Sequence, residues 1–295
     1  MRSTPVPPTL PAPSSAGAYY VPPPTLYPVL LASALFLLAL GGIFLLNAMA
    51  FGRWLIILGA VLILYVLAGW FGTLIGESRR GAFGAWEDRS FRSGMVWFIA
   101  SEVAFFAAFF GALFYVRQIA VPALAHMEAE HGLSLWPGFT DTWPSAGPKG
   151  SAFTPMAAWG IPAINTALLL ASGVTLTVAH WGLLAGRRRQ LNGGLALTIG
   201  LGLLFLALQA WEYHHAYAAL GLTLGAGVYG ATFFLLTGFH GLHVTLGVTM
   251  LCVIFGRCLR GHFDPGNHFG FEATAWYWHF VDAVWLGLFV FVYWL

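Results

Sequence analysis

The sequence predicts an all-α, polytopic membrane protein with seven transmembrane helices. Of its 295 residues, 59% are hydrophobic and only 8% are charged, whereas a soluble domain contains about 25% charged residues. The apolar runs are long and unbroken, which favours helices over the alternating segments of about ten residues that build a barrel. A net charge of +2 without a basic stripe predicts no nucleic-acid partner.

The apolar runs begin after a proline-rich segment. Residues 1–28 contain nine prolines, which prevent a regular helix and predict an extended cytoplasmic tail. Each later run provides the roughly 20 residues that a spanning helix needs. The seven predicted spans are residues 29–49, 54–76, 93–118, 161–184, 192–217, 228–257 and 270–295.

The connections between the spans predict an unequal division of the chain. Residues 29–76 form a two-helix transmembrane unit, and a charged cytoplasmic linker, 77–92, joins it to a five-helix bundle, 93–295. This bundle carries a long external loop, 119–160, and loops of such length are typically functional or partly disordered.

The basic residues predict the orientation. If the N-terminus is cytoplasmic, ten of the 13 Lys and Arg residues lie in cytoplasmic segments, and only Arg53, Arg117 and Lys149 lie outside. Basic residues are concentrated on the cytoplasmic side of membrane proteins. The N-terminus is therefore predicted to be cytoplasmic and the C-terminus to be outside, as an odd number of spans requires.

Ionisable side chains are concentrated in the last five spans. A charge in hydrocarbon costs at least about 2.5 kcal/mol, so such residues are functional candidates. They are Glu102, His180, Glu212, His214, His215, His240, His243, Glu272, His279 and Asp282. Some are three residues apart and so share a helix face. These pairs are Glu212 with His215, His240 with His243, and His279 with Asp282.

Three interpretations of these residues remain open from the pattern alone: a metal or haem site, structural pairing, and a proton relay. Glu212 and His215 form a Glu-x-x-His unit, but di-iron bundles need two such units and further carboxylates. Glu102 lies about nine residues, or about 13 Å, into its predicted span. Because its neighbours are phenylalanines, a partner for its carboxyl group must come from another helix.

Several longer strings carry a family resemblance. Residues 237–244 read Thr-Gly-Phe-His-Gly-Leu-His-Val, and residues 275–282 read Ala-Trp-Tyr-Trp-His-Phe-Val-Asp. Residues 98–106 and 227–234 are equally specific. These strings closely resemble cytochrome c oxidase subunit III, the third core subunit of the haem-copper oxidases. The resemblance covers residues 70–295 in order.

The resemblance implies a fold and a set of partners. Its first two helices would splay from the five-helix bundle around a V-shaped cleft filled with phospholipid. The chain would carry no redox centre, because the family's haem and copper lie in subunits I and II. It would contact mainly subunit I and also subunit II, supporting proton uptake into subunit I and stabilising it.

The resemblance also implies roles for individual residues, none of them catalytic, cofactor-binding or metal-binding. The intramembrane polar residues, structural or proton-related, are Glu102, Glu212, His240, His243, Glu272, His279 and Asp282. The candidates for lipid contact are Trp70, Glu77, Arg257 and His262. The sequence departs from the family before Glu77, where Gly72 and Thr73 replace an arginine–aspartate pair.

The resulting hypothesis is an accessory, non-redox subunit of a bacterial cytochrome c oxidase, the terminal complex (respiratory complex IV) of aerobic electron transport, in the plasma membrane. Within the wider family, alternatives are the third subunit of a quinol oxidase, which usually lacks the first two helices, and an accessory subunit of a nitric oxide reductase. A stand-alone di-iron or haem enzyme predicts metal on the isolated chain. A transporter would need inverted repeats or broken helices.

Overall fold

The computed structural model describes residues 20–131 and 136–295, and that part of the chain is helical and contains no strand. It includes seven helices that are each long and apolar enough to cross a membrane, which confirms the predicted fold class. The α-helices are α1 (Tyr27–Leu46), α2 (Gly52–Arg79), α3 (Ala85–Tyr115), α4 (Val121–His131), α5 (Ile161–Leu184), α6 (Arg188–Ala219), α7 (Val228–Leu259) and α8 (Phe269–Leu288).

The proline-rich segment is described only in its last residues. Residues 1–19 lie outside the described part of the chain, and residues 20–26 form no helix. Helix α1 begins at Tyr27 with Pro28 in its first turn. A proline is tolerated there because the first N–H groups of a helix have no intrahelical partner.

The chain divides into two compact units, Met1–Phe91 and Arg92–Leu295. In the first unit, α1 and α2 form a helical hairpin in which small residues allow close contact between backbones. A Cβ atom added at Gly59 would lie 2.9 Å from the carbonyl oxygen of Ala34. Small residues at such contacts are typical of membrane helices, because close packing provides much of their association energy.

We expect Gly59→Leu to weaken the α1–α2 hairpin by about 1–3 kcal/mol, because the added side chain must displace the α1 backbone. Gly72→Leu on the same helix is the matched control, since a Cβ there meets no atom of the described residues within 4 Å. Thermal unfolding of the purified protein should show a lower midpoint for Gly59→Leu alone. Equal midpoints for the two variants would contradict the packing role of Gly59.

The predicted linker 77–92 is largely helical. Helix α2 continues to Arg79 and α3 begins at Ala85, so only residues 80–84 connect them. Charged residues in this segment end the apolar run without ending the helix. Glu87 lies in the first turn of α3, where the helix dipole favours a negative charge.

Glu87 also holds the chain that precedes α1. Its carboxylate accepts the Gly84 N–H at 2.8 Å and the Tyr20 N–H at 2.9 Å. The ring of Tyr20 packs edge-on against Phe83 at 5.7 Å between centroids. The segment before α1 is therefore fastened to the α2–α3 connection within the first unit.

The prediction of a loop over residues 119–160 is wrong for the first part of that segment, because the chain remains helical there. A π-helical segment, Val116–Ala120, follows α3 and leads into α4. Pro122 lies in the first turn of α4, where the change of hydrogen-bonding pattern removes the clash that a proline causes inside a helix. The later part of the loop packs on the start of α7, where Tyr229 N–H donates to the Ser145 carbonyl at 3.1 Å.

Helices α5–α8 of the second unit pack around Trp278, which is 0% exposed. Its indole N–H donates to the Ser172 hydroxyl of α5 at 2.8 Å. A Cβ atom added at Gly202 of α6 or at Gly247 of α7 would lie 2.8 Å from the Trp278 ring. One side chain on α8 therefore contacts the three neighbouring helices α5, α6 and α7.

Candidate functional site in the second unit

Glu102 on α3 and His243 on α7 form a hydrogen-bonded pair. The distance from Glu102 Oε2 to His243 Nε2 is 2.8 Å. The expectation that Glu102 takes a partner from another helix is confirmed. His243 is buried, and Phe106 packs edge-on against its ring at 5.0 Å. Few polar groups compete for the pair in such an environment, which strengthens the hydrogen bond.

The contacts of His243 also indicate where the hydrogens of the Glu102–His243 pair lie. His243 Nδ1 lies 2.6 Å from the carbonyl oxygen of Phe239. A carbonyl only accepts, so Nδ1 carries a hydrogen. The contact with Glu102 then requires one further hydrogen, either on the carboxyl group or on Nε2. The pair has zero net charge in both forms, which removes much of the cost of burying two ionisable groups.

His240 lies one helical turn before His243 but has different neighbours. It is buried, and its Nε2 lies 3.3 Å from the Val281 carbonyl of α8. Its Nδ1 has no hydrogen-bond partner among residues 20–131 and 136–295. Its ring packs against Trp285 at 5.1 Å. The two histidines share a helix face, as their spacing predicts, but they are not directed at a common point.

Glu212 of α6 belongs to a polar network that the sequence pattern did not identify. Tyr293, in the π-helical segment Phe289–Trp294 that follows α8, donates its hydroxyl to Glu212 Oε1 at 2.8 Å. Gln209 contacts the Tyr293 hydroxyl at 3.4 Å. His215 instead stacks on Trp211 at 5.5 Å. The Glu-x-x-His spacing therefore does not join Glu212 to His215.

His279 and Asp282 of α8 face α5. His279 Nδ1 and Asp282 Oδ2 are 3.9 Å apart, which is too far for a hydrogen bond. The second carboxyl oxygen of Asp282 is buried without a hydrogen-bond partner. On α5, Thr177 Oγ1 lies 3.5 Å from His279 Nε2. Asp282 is thus left without a strong partner within the described part of the chain.

The remaining polar candidates of the second unit lie near helix ends. Glu272, in the first turn of α8, forms an ion pair with Arg92 at 2.8 Å, a partner that the sequence did not predict. Arg257, in the last turn of α7, lies over the Phe263 ring at 4.2 Å. His262 follows in the turn after α7, and its backbone N–H donates to the backbone carbonyl of Arg257 at 3.0 Å.

Two lipid-contact candidates belong to the first unit. Trp70 of α2 stacks on Tyr27 with 5.9 Å between ring centroids. Glu77, near the end of α2, is buried at 5% exposure. The contact with Tyr27 holds the Trp70 ring within the first unit.

The described residues bring no three His, Cys, Asp or Glu side chains together as a metal site. The geometry instead gives a helical membrane protein in which three acids bond to side chains of other helical segments: Glu102 to His243, Glu212 to Tyr293, and Glu272 to Arg92. This arrangement is that of a polytopic membrane subunit joined internally by polar contacts.

Comparison with known proteins defines the family. A family model described as cytochrome c oxidase subunit III matches residues 17–295. Cytochrome c oxidase subunit 3 of Branchiostoma lanceolatum is 45% identical over 241 residues, which cover 81% of this chain and 83% of that protein. The proteins of the same name from Latimeria chalumnae and Danio rerio are 41% and 42% identical over 282 residues, covering 95% of this chain and 97% of each.

The chain therefore belongs to the cytochrome c oxidase subunit III family, as the resemblance predicted. It is an accessory subunit of cytochrome c oxidase and part of that enzyme complex. The quinol oxidase and nitric oxide reductase alternatives are not favoured.

Proposed function

We propose that this chain supports the redox subunits of the oxidase without holding a redox centre itself. Haem and copper then lie in partner subunits, with subunit I as the main contact and subunit II as a further one. The supporting observation is that side chains which could bind a metal form hydrogen bonds with other side chains instead. Glu102 and His243 bond each other, and Glu212 bonds a tyrosine hydroxyl.

The proposal includes the support of proton uptake into subunit I. The Glu102–His243 pair supports it, because this pair holds a single proton between two groups that can each carry it. His240, Glu212 and Glu272 fix helix positions in this proposal through their contacts with other segments.

Phospholipid is the proposed ligand of this chain, as the family resemblance implies. Arg257 and His262 support this proposal, because a basic residue at a helix end suits pairing with a headgroup phosphate. Trp70 and Glu77 are the candidates for lipid contact in the first unit. Lipid analysis of the purified oxidase, with and without Arg257→Leu, would show a lower phospholipid content in the variant.

The proposed setting is a bacterial plasma membrane, with the N-terminus in the cytoplasm and the C-terminus outside. The distribution of Lys and Arg supports the orientation. The relatives named above come from animals, so the bacterial setting rests on the sequence-based hypothesis. A C-terminal tag that proteases cleave in intact spheroplasts supports the orientation, whereas cleavage only after lysis would contradict it.

Affinity purification of the tagged chain from its native membrane tests the central proposal. We expect haem-copper subunits to co-purify in equal amounts with this chain, and haem spectra to come from them. Purification of the chain alone or with unrelated proteins would contradict the assignment. Stoichiometric iron or copper on the chain after its separation from the complex would contradict the absence of a redox centre.

A further inference from the structure

A groove lies between α5 and α8 in the second unit, with a volume of about 490 Å³. Its lining is mostly apolar, but it contains the polar side chains of Thr177, His279 and Asp282. Val174 and Trp181 on α5 are 64% and 61% exposed, so the groove opens at the surface of the unit. We call it the α5–α8 groove.

The polar part of the groove lies halfway along both helices. Gly173 is at the middle of α5, and Asp282 is at the middle of the span Phe269–Trp294. Each is roughly 18–20 Å from the helix ends at about 1.5 Å per residue. A span crosses a hydrocarbon core about 30 Å thick, so this position corresponds to the centre of the bilayer.

The groove is shaped so that the carboxyl group faces it. A Cβ atom added at Gly173 would lie 2.7 Å from Asp282 Oδ2, and thus the missing side chain leaves room for the carboxyl group. Asp282 is 7% exposed, and its Oδ1 is enclosed without a hydrogen-bond partner among the described residues. Its Oδ2 is the oxygen beside Gly173 in the groove lining, and it lies 3.9 Å from His279 Nδ1, too far for a hydrogen bond. The side chain of His279 is 47% exposed beside it.

Lipid cannot provide hydrogen-bond partners for the side chains of Asp282 and His279. An acyl chain has no hydrogen-bond donor, and a headgroup lies about 15 Å from the bilayer centre. An ionisable group at this depth is costly unless it pairs with another polar group or faces water. A neighbouring helix that carries a donor at mid-membrane depth meets both requirements, because its apolar residues also cover the exposed side chains of Val174 and Trp181.

We propose that the α5–α8 groove is the docking surface for a transmembrane helix of another oxidase subunit, whose side-chain donor hydrogen-bonds Asp282. This inference rests on the proposed function, because it requires an assembled oxidase. It adds to that function the surface by which the chain binds its partner.

Site-specific photo-crosslinking in the assembled oxidase tests the docking surface. A photoreactive amino acid at Val174 should crosslink to a transmembrane segment of another oxidase subunit, identified by mass spectrometry. Val253 on α7, which is 51% exposed, is the matched control position. Crosslinks from Val174 only to lipid, to a second copy of this chain, or to its own α1 or α2 would overturn the inference.

Substitution of Asp282 tests the hydrogen bond. With Asp282→Leu, which has a similar size but no acceptor, we expect a roughly three- to tenfold rise in the fraction of chain that detergent releases from the oxidase. Asp282→Asn keeps an acceptor and should be retained like the unmodified chain. Equal retention of the Leu variant would overturn the proposal. If Asp282→Leu does not fold, Val174→Trp compared with Val253→Trp gives the same test by filling the groove.

The outcomes separate this inference from the proposed function. Co-purification with haem-copper subunits, combined with no crosslink from Val174 to them, would overturn the docking surface while leaving the function intact. Failure to co-purify at all would contradict the proposed function itself.

Discussion

Trp278→Ala should destabilise the second unit by about 3–5 kcal/mol, the range for removing a fully buried tryptophan. The substitution removes the ring between α6 and α7, and it leaves the Ser172 hydroxyl without its indole donor. Because α5, α6 and α7 all contact this ring, its removal leaves a cavity among the four helices. Heating the purified oxidase should release the variant chain at a clearly lower temperature.

Trp211→Ala is the control for this prediction. Trp211 lies on α6 and is 56% exposed, so its removal opens no cavity. We expect it to shift the release temperature little. Similar shifts for the two variants would contradict the assignment of Trp278 as the central packing residue.

Glu102→Ala should destabilise the protein by about 1–3 kcal/mol, because it leaves His243 Nε2 buried without a partner. His243→Ala should have a similar effect. The double variant should cost less than the sum of the two single variants, by a coupling energy of about 0.5–3 kcal/mol. Thermal unfolding of the three variants measures this coupling, and strictly additive effects would contradict the pair.

Glu102→Gln separates the structural role from a role in proton uptake. Its amide donates to His243 Nε2 and keeps the bond, but it cannot release a proton under these conditions. If the pair takes part in proton uptake, this variant should be as stable as the unmodified protein while proton uptake by the oxidase slows. Haem spectra should stay unchanged in every variant. Loss of haem with Glu102→Ala would contradict a role outside the redox centre.

The sequence predicted the membrane-spanning fold because hydropathy over about 20 residues is a strong local signal. The helix ends were less accurate, because charges do not end a helix when they suit its dipole. Glu87 at the start of α3 is such a case. The α4 helix was missed because Pro122 normally interrupts a helix, and the π-helical segment Val116–Ala120 that accommodates it has no clear sequence signature.

The candidate site was predicted in part. The need of Glu102 for a partner followed from its phenylalanine neighbours, but the identity of that partner did not, since His243 is 141 residues away. The spacing of Glu212 and His215 placed both on one helix face. The hydrogen-bond partner of Glu212 is instead Tyr293, which is 81 residues away in the sequence. Gln209, three residues before Glu212, was the available signal for a polar network.

The membrane voltage should have little effect on the position of the proton that Glu102 and His243 share. Moving this proton from one group to the other displaces one elementary charge by about 1 Å, out of a hydrocarbon core about 30 Å thick. A potential of about 100 mV then changes the balance between the two forms by no more than about 0.1 kcal/mol. The pair should therefore keep the same distribution of its proton whether the respiratory membrane is energised or not.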